Sequence, residues 1–177
     1  DGVNNAAEVT RVVTVSDTTA PVISLTGDSV VGVECGGTYG ELGATVADAC
    51  AAGLTVTVGG DTVNASVAGT YTVTYNANDG VNAAVQVART VNVSDTVAPV
   101  IELTGSASVT LQCGVDSYSE LGATATDACA AGLTVTVGGD AVNASATGAY
   151  TVTYTVSDGT NSATPVTRTV NVVDTIK

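Results

Sequence analysis

The sequence contains no histidine, tryptophan, phenylalanine or methionine, and its only aromatic residues are six tyrosines. Without histidine, no imidazole is available to act as a general base near neutral pH. The sequence also has no G-x-S-x-G nucleophile motif, no P-loop and no dinucleotide-binding glycine pattern. These absences predict that the chain is not an enzyme.

Basic residues are also scarce. Arg11, Arg89, Arg168 and Lys177 stand against 17 acidic residues, which makes the formal net charge −13 at pH 7. Such a chain repels phosphate backbones and anionic lipid headgroups, so nucleic acid is not an expected partner. No segment approaches the run of about 18 apolar residues that a membrane helix needs, so membrane insertion is not expected either.

What the chain does contain favours strands. Hydrophobic residues make up 45% of the sequence, which is enough for a packed core. Leucine is sparse, and no stretch of ten residues carries apolar side chains at helical spacing. Valine, threonine and tyrosine prefer a pleated, half-buried surface, while alanine and glycine fill tight places and turns. The composition therefore predicts an all-β fold.

An internal repeat dominates the sequence. Three segments show it: DTTAPVISLTG (17–27) recurs as DTVAPVIELTG (95–105), DACAAGLTVTVGGD occurs at both 48–61 and 127–140, and AGTYTVTY (68–75) recurs as TGAYTVTY (147–154). The chain is therefore expected to contain two copies of one small domain.

The repeat predicts the domain boundaries. Complete repeats are expected at 18–95 and 96–174, and residues 175–177 are expected to start a further linker. Residues 1–17 match the end of a repeat, so we expect them to be the final strand of a preceding, truncated repeat. Alternatively, this segment is a donor strand that completes the sandwich of a neighbouring chain. Because partial repeats are expected at both ends of the sequence, we expect the sequence to be part of a longer array of repeats.

Turn residues divide the first repeat into short strands. These are predicted at 21–26, 29–35, 43–48, 54–58, 62–66, 70–77 and 85–94. Seven strands in so short a repeat suit two small packed sheets. In the last strand Arg89 falls among valines, which suggests a register break or a rim position. The Gly-x-Tyr patterns ending at Tyr71 and Tyr150 predict the tyrosine corner of immunoglobulin folds.

Each repeat carries two cysteines in matching places: Cys35 and Cys50 in the first, Cys113 and Cys129 in the second. A small domain with few large side chains needs a stabilising cross-link, and one disulfide per repeat would supply it. Four cysteines permit three pairings, and pairing within each repeat respects the repetition. Disulfides indicate an oxidising, extracellular compartment. A metal site is the competing interpretation, but the paired C-x-x-C spacing and histidine are missing.

Acidic turns suggest a calcium site in each repeat, since calcium binds six to eight oxygen ligands. The turn before the last strand and the entering linker are expected at the same pole of the sandwich. A third aspartate reaches that pole if its strand runs in the right direction. The candidate ligands are Asp17, Asp48, Asp79 and Asn82 in the first repeat, and Asp95, Asp127, Asp158 and Asn161 in the second. The alternative is that these residues are ordinary turn and linker residues.

The repeat resembles a known family. The pattern D-x-x-A-P-V-I-x-L-x-G, followed by G-A-T-x-x-D, G-x-Y-T-V-T-Y, D-G-x-N and R-T-V-N-V, is similar to bacterial immunoglobulin-like repeats. That family occurs in tandem on large secreted and cell-surface proteins, including some insecticidal crystal toxins. The cysteines in V-E-C-G and D-A-C are similar to those of hyalin-type variants. Related repeats often carry D-x-x-D-G-D after G-A-T-x-x-D, whereas this chain reads DACAAGL and lacks two acidic groups.

The resemblance implies tandem immunoglobulin-like β-sandwich domains that serve as spacers or adhesive modules. We therefore predict an extracellular or cell-surface structural protein that forms a semi-rigid stalk or fibre. Its partners would be neighbouring repeats, or identical chains in a fibre. One alternative is a filament subunit that polymerises by strand donation through residues 1–16. Another is a carbohydrate-binding module, with Tyr39 and Tyr118 as exposed aromatic platforms.

Overall fold

The structure is a computed structural model that describes residues 2–176. All regular elements of this part of the chain are strands. Six lie in the first repeat: β1 (Val22–Leu25), β2 (Val30–Glu34), β3 (Ala44–Ala47), β4 (Thr57–Gly60), β5 (Gly69–Asn76) and β6 (Val87–Ser94). Six equivalent strands lie in the second: β7 (Val100–Leu103), β8 (Ser108–Gln112), β9 (Ala123–Thr126), β10 (Thr136–Gly139), β11 (Gly148–Thr155) and β12 (Val166–Val173). The all-β prediction is confirmed.

Each repeat divides its strands between two sheets. In the first repeat β1 pairs antiparallel with β3, and the second sheet has the order β2-β6-β5-β4. The second repeat copies this arrangement with β7-β9 and β8-β12-β11-β10. The short strands β2 and β8 run parallel to the final strand of their repeat. The pairs β1-β3, β4-β5, β7-β9, β10-β11 and β11-β12 are antiparallel. Two small sheets per repeat make tandem immunoglobulin-like sandwiches.

By contacts between backbone positions, the described chain divides into two compact units. One contains the chain up to Ser29 together with Glu41–Asp61 and Thr72–Arg89. The other contains Val30–Gly40, Thr62–Tyr71 and the chain from Thr90 onward. In neither unit do the described residues form a helix of the length and hydropathy that crossing a membrane requires.

The core of the second unit is built from alternate residues of its two longest strands. Val152 and Tyr154 of β11 are buried together with Val170 and Val172 of β12. The cluster is completed by Ile101, Leu111, Val156 and Ala163. This spacing of two follows from the pleat, which sends successive side chains to opposite faces. Because tyrosine is the only aromatic type, the core is thin for a domain of this size.

Three predicted features of the strands are wrong. The strand predicted at 54–58 is observed at Thr57–Gly60. Residues 62–66 form no strand, because the Asn64 side chain accepts a hydrogen bond from the backbone N–H of Ser66 (3.0 Å) and the segment turns there. This local side-chain bond competes with a sheet ladder. Arg89 is neither at a rim nor at a register break: it continues the alternation of β6 and is fully buried.

The strands β4 and β10 each end in two glycines, and the second glycine of each pair has a steric reason. Gly139 has φ of +83°, and a Cβ added there would lie 2.3 Å from the carbonyl oxygen of Thr151 on β11. The preceding residue, Gly138, has no neighbour within 4 Å of such a Cβ. The backbone of β10 therefore approaches β11 at Gly139 in a way that only glycine permits.

We predict that Gly139→Ala destabilises the second repeat by about 1–3 kcal/mol, because it adds both a clash with backbone and a left-handed conformation. Gly138→Ala in the same strand is the matched control, and it should change the free energy of unfolding much less. Urea unfolding of both variants measures the difference. Equal stabilities would contradict the steric account.

Candidate functional site

Three aspartates from separate segments converge in each repeat. In the second repeat, Asp95 lies in the linker after β6, Asp127 follows β9, and Asp158 lies in the turn between β11 and β12. One carboxylate oxygen from each of the three lies within 4.8 Å of the other two. Asp17, Asp48 and Asp79 form the equivalent group in the first repeat, within the same distance. We call these two groups the aspartate clusters.

Local hydrogen bonds hold two aspartates of each cluster in position. Oδ1 of Asp127 accepts the backbone N–H groups of Cys129 (2.7 Å) and Ala130 (2.8 Å), which closes the D-A-C turn. Oδ1 of Asp158 accepts those of Thr160 and Asn161, both at 2.6 Å. Asp48 and Asp79 cap their turns in the same way. These turn hydrogen bonds are compatible with the clustering, because in each aspartate they use only one of the two carboxylate oxygens.

The two asparagines predicted as ligands take a different position. The side-chain amide N–H of Asn161 faces the backbone carbonyl of Asp95 (3.2 Å) and its Oδ1 (3.5 Å). Asn82 donates to the carbonyl of Thr19 (3.0 Å) and to Oδ2 of Asp79 (3.4 Å). Both amides therefore donate to the linker through their nitrogen atoms and tie it to the last turn.

The electrostatics of the second cluster reflect its three like charges. Burial, followed by the charges of Asp127 and Asp158, raises the pKa of Asp95. The pKa of Asp158 is lowered, chiefly by the backbone hydrogen bond from Asn161. Asp158 thus stays ionised and opposes the ionisation of Asp95.

The donor set of the second cluster suits a hard divalent cation. Oδ2 of Asp158 is buried and has no hydrogen-bond partner among the described residues, which is costly for a charged oxygen. Calcium prefers carboxylate and carbonyl oxygens. Asp95, Asp127 and Asp158 could hold it, with Asp17, Asp48 and Asp79 as the equivalent ligands in the first repeat.

Tyr71 and Tyr150 lie at the start of the long strands β5 and β11. The Tyr71 hydroxyl donates to the backbone carbonyls of Val67 (3.0 Å) and Asn64 (3.1 Å). The Tyr150 hydroxyl donates to the carbonyl of Ala146 at 3.0 Å. A hydroxyl that returns to the backbone a few residues upstream is the geometry of a tyrosine corner.

A buried ion pair lies inside each sandwich, and the sequence analysis did not predict it. The guanidinium of Arg168 is fully buried and bonds Oε1 of Glu120 at 2.6 Å. It also donates to the carbonyls of Thr104 (2.6 Å) and Ser106 (2.9 Å). In the first repeat Arg89 forms the corresponding pair with Glu41. Glu and Arg recur at the same places in both repeats, and this shared charge pattern is the signal that could have revealed the pair.

Glu120 is the centre of this network. Its Oε1 also accepts the Tyr154 hydroxyl at 2.5 Å, and its Oε2 accepts the Tyr118 hydroxyl. Burial raises the pKa of Glu120, but the hydrogen bonds from Tyr118 and Tyr154 outweigh it, so the pKa lies below its usual value. Glu120 therefore stays ionised beside Arg168.

The disulfide differs from the predicted pairing. Cys35 of the first repeat bonds Cys129 of the second, with their Cα atoms 5.5 Å apart, and both belong to the second compact unit. Cys50 and Cys113 are free thiols. Pairing within each repeat was therefore wrong. Each repeat instead contributes one cysteine to a bond between repeats and keeps the other as a thiol.

The tyrosines considered as carbohydrate platforms are half-buried. Tyr118 holds its hydroxyl against Glu120, and Tyr39 is likewise only partly exposed. An aromatic platform for a sugar needs an open ring face. Neither tyrosine offers the fully exposed ring that this alternative expected.

Fold and site together define a class: a protein of tandem immunoglobulin-like sandwiches with an acidic cluster at the linker entrance of each repeat. The chain matches the family described as bacterial surface protein, Ig-like domain, over residues 23–93 and 101–172. It belongs to that family, whose surface repeats are typically non-enzymatic. A comparison with curated proteins gives no significant match.

Proposed function

We propose that this chain is a non-catalytic part of an extracellular stalk or fibre of a bacterial surface protein, such as an adhesive protein, whose joints are stiffened by calcium. Membership of the surface-repeat family supports the structural role. The observation that carries the calcium role is the convergence of a linker aspartate with two turn aspartates in both repeats.

The mechanism follows from which element supplies each carboxylate. Asp95 belongs to the linker, whereas Asp127 and Asp158 belong to turns of the second repeat. Mutual repulsion disfavours this arrangement of three negative groups when no cation is bound. A calcium ion held by all three would neutralise the cluster and fasten the linker to the sandwich. Short linkers of the D-T-x-A-P type add stiffness, because proline restricts its own backbone and that of the residue before it.

The first experiment is thermal unfolding of the non-reduced chain with calcium and with chelator. A ligand that binds only the folded state stabilises it by about 2.7 kcal/mol at a free concentration 100 times its Kd. We therefore expect calcium to raise Tm, and calorimetric titration to show saturable binding. Magnesium, which demands tighter octahedral geometry, is the control cation. An unchanged Tm and no heat of binding would reject the calcium role and leave a disulfide-linked spacer.

A single substitution in the second cluster tests the same site, because its effects on stability in chelator and in calcium should be opposite. The raised pKa of Asp95 means that its charge opposes folding, and this cost grows as pH rises through the pKa of the folded state. In chelator at pH 7, Asp95→Asn should therefore raise Tm. In calcium the variant should lose part of the calcium-dependent stabilisation.

Glu102→Gln is the matched control, because it removes one exposed carboxylate of the second repeat that is outside the cluster. It should leave the calcium response unchanged. If Asp95→Asn and Glu102→Gln respond alike in both conditions, the cluster has no special relation to calcium.

Strand donation is the second candidate function, and one observation favours it. The segment EVTRVVTVSD (8–17) resembles β6 and its flanks, yet it forms no strand, and Val9, Val12, Val13 and Val15 are largely exposed. Such a strand could complete a sandwich elsewhere. Electron microscopy of the chain and of a variant with Val12 and Val13 changed to Asp would test this. Filaments formed by the chain and lost in the variant would support donation, and no filaments in either would reject it.

A further inference from the structure

The observed disulfide joins non-equivalent cysteines of successive repeats. Cys35 lies directly after β2, whereas Cys129 lies in the D-A-C turn after β9. The bond therefore runs from the β2 end of one repeat to the D-A-C turn of the next. A contact between two different surfaces can be repeated without closing on itself and then generates a linear array.

Cys113 has the same backbone environment as the bonded Cys35. The N–H of Cys35 donates to the carbonyl of Ser94, and that of Cys113 to the carbonyl of Val173, both at 2.8 Å. The next residue repeats the match: Gly36 donates to Ala65 (2.8 Å), and Gly114 donates to Ala144 (2.9 Å). The free thiol of Cys113 is thus held at the position from which its counterpart forms a disulfide.

Cys50 matches the bonded Cys129 in the same manner. Both lie in the identical sequence DACAAG, and Oδ1 of the leading aspartate accepts the cysteine N–H at 2.7 Å in each. Cys50 is exposed. The first repeat therefore presents a free thiol at the position where the second repeat carries its disulfide.

An independent feature repeats at the exit linker. Glu34, next to Cys35, accepts the backbone N–H and the hydroxyl of Thr96 at 2.8 and 2.6 Å. Gln112, next to Cys113, accepts the N–H and hydroxyl of Thr175 at 3.2 and 2.7 Å. The chain leaving the second repeat is thus fastened beside Cys113 as the linker after the first repeat is fastened beside Cys35.

We propose that Cys113 and Cys50 are the two open positions of a disulfide ladder that links each repeat to the next. Cys113 bonds the D-A-C thiol of a following repeat, and Cys50 bonds the thiol after β2 of a preceding repeat. This deepens the proposed structural function and rests on it only in requiring that repeats meet end to end. The partner is a repeat of the same type, supplied by a longer chain or by a second copy.

The bond forms by thiol–disulfide exchange with a small disulfide such as oxidised glutathione. One protein thiolate attacks a sulfur of the small disulfide and releases one thiol. The second protein thiolate then displaces the other thiol from the mixed disulfide. Two protein thiols are oxidised to one disulfide, and one small disulfide is reduced to two thiols.

The test mixes two variants of the 177-residue chain in chelator with oxidised glutathione. Cys113→Ser keeps only Cys50 free, and Cys50→Ser keeps only Cys113 free. On a non-reducing gel, we expect the mixture to form a covalent dimer joined through Cys50 and Cys113. Each variant alone should form no such dimer. Peptide mapping by mass spectrometry identifies the bond. Dimers of either variant alone that form as readily as the mixed dimer would overturn the proposal.

A second arm distinguishes the two sources of the partner repeat. A chain extended with another copy of residues 96–174 is oxidised at low protein concentration, and peptide mapping looks for a bond from Cys113 to the added D-A-C cysteine. That bond without mixed dimers assigns the ladder to repeats of one chain, and mixed dimers assign it to separate copies. If neither forms, the ladder is wrong. Because all samples contain chelator, this failure is separate from failure of the calcium test.

Discussion

Replacing Arg168 with methionine is expected to unfold the second repeat at a much lower temperature than the unaltered chain. The substitution keeps an aliphatic stem but removes the charge that pairs with Glu120 and the donors that satisfy the carbonyls of Thr104 and Ser106. Removing one partner of a buried pair costs about 3–5 kcal/mol. Since 29% of the Glu120 side chain is exposed, we expect about 3 kcal/mol, near the lower limit.

For a domain of 60–100 residues, about 1 kcal/mol shifts Tm by roughly 4–8 °C, so Tm should fall by about 12–24 °C. Differential scanning calorimetry measures this directly. Arg11→Met is the matched control, because Arg11 occupies the same kind of sequence but is exposed in this chain. Adding Glu120→Gln to Arg168→Met should recover part of the loss, because it removes the unpaired charge. Equal melting of the Arg168 and Arg11 variants would show that the buried pair contributes little.

The sheets could be predicted because their signals are local. Alternation in TVTY sends Val152 and Tyr154 to one face, and the glycines of Gly-Gly-Asp end β4 and β10 where the backbone approaches the next strand closely. The strand predicted at 62–66 failed for an equally local reason, since Asn64 offers the backbone a turn. Whether such a segment forms a strand depends on whether the side-chain bond to the backbone or the pairing with a strand is more stable. Composition does not decide this.

The ion pair could not be predicted from the hydropathy of its members. Arg89 falls on an apolar face of β6, so alternation alone places it at a rim or at a break. Its partner Glu41 lies in an irregular segment 48 residues away, and only folding brings the two together. Burial of an arginine becomes tolerable when its charge and its donors are all satisfied. That condition belongs to the assembled sandwich and not to the strand.

The aspartate clusters were predictable in membership but not in detail. Turn propensity identified Asp79 and Asp158, and equivalence of linkers identified Asp17 and Asp95. The contribution of Asp48 and Asp127 depended on strand direction, which the antiparallel pairing of β1 with β3 and of β7 with β9 now provides. The role of Asn161 was not predictable, because the sequence does not reveal which end of its amide faces the linker.

Cysteine pairing shows a limit that repetition itself imposes. A bond inside every repeat and a bond from every repeat to the next both treat all repeats alike. The equivalence of the repeats therefore does not distinguish pairing within a repeat from pairing between repeats. The sequence distance from Cys35 to Cys50 is short, and this favoured local closure. The distance that matters is between Cα atoms in the folded chain, and it is 5.5 Å for Cys35 and Cys129.

Cys129→Ser should therefore destabilise both repeats. The bond spans a sequence separation of 94 residues. In the chain-entropy model, a closed loop of about 100 residues stabilises the folded state by about 4.7 kcal/mol. We expect the variant to lose on the order of 4 kcal/mol and to unfold in denaturant at the same midpoint as the unaltered chain kept in reductant.

Cys50→Ser is the control that isolates the cross-link from the loss of a thiol. Cys50 lies in an identical DACAAG turn and has the same hydrogen bond to its leading aspartate, but it is free. At low protein concentration without oxidant, its replacement should leave the midpoint unchanged. A large loss in both variants would mean that the thiol or the turn matters more than the cross-link. No loss in Cys129→Ser would mean that the bond does not restrict the unfolded chain. The expected contrast, a large loss for one of two identical turns, follows from the bond that Cys129 forms and Cys50 does not.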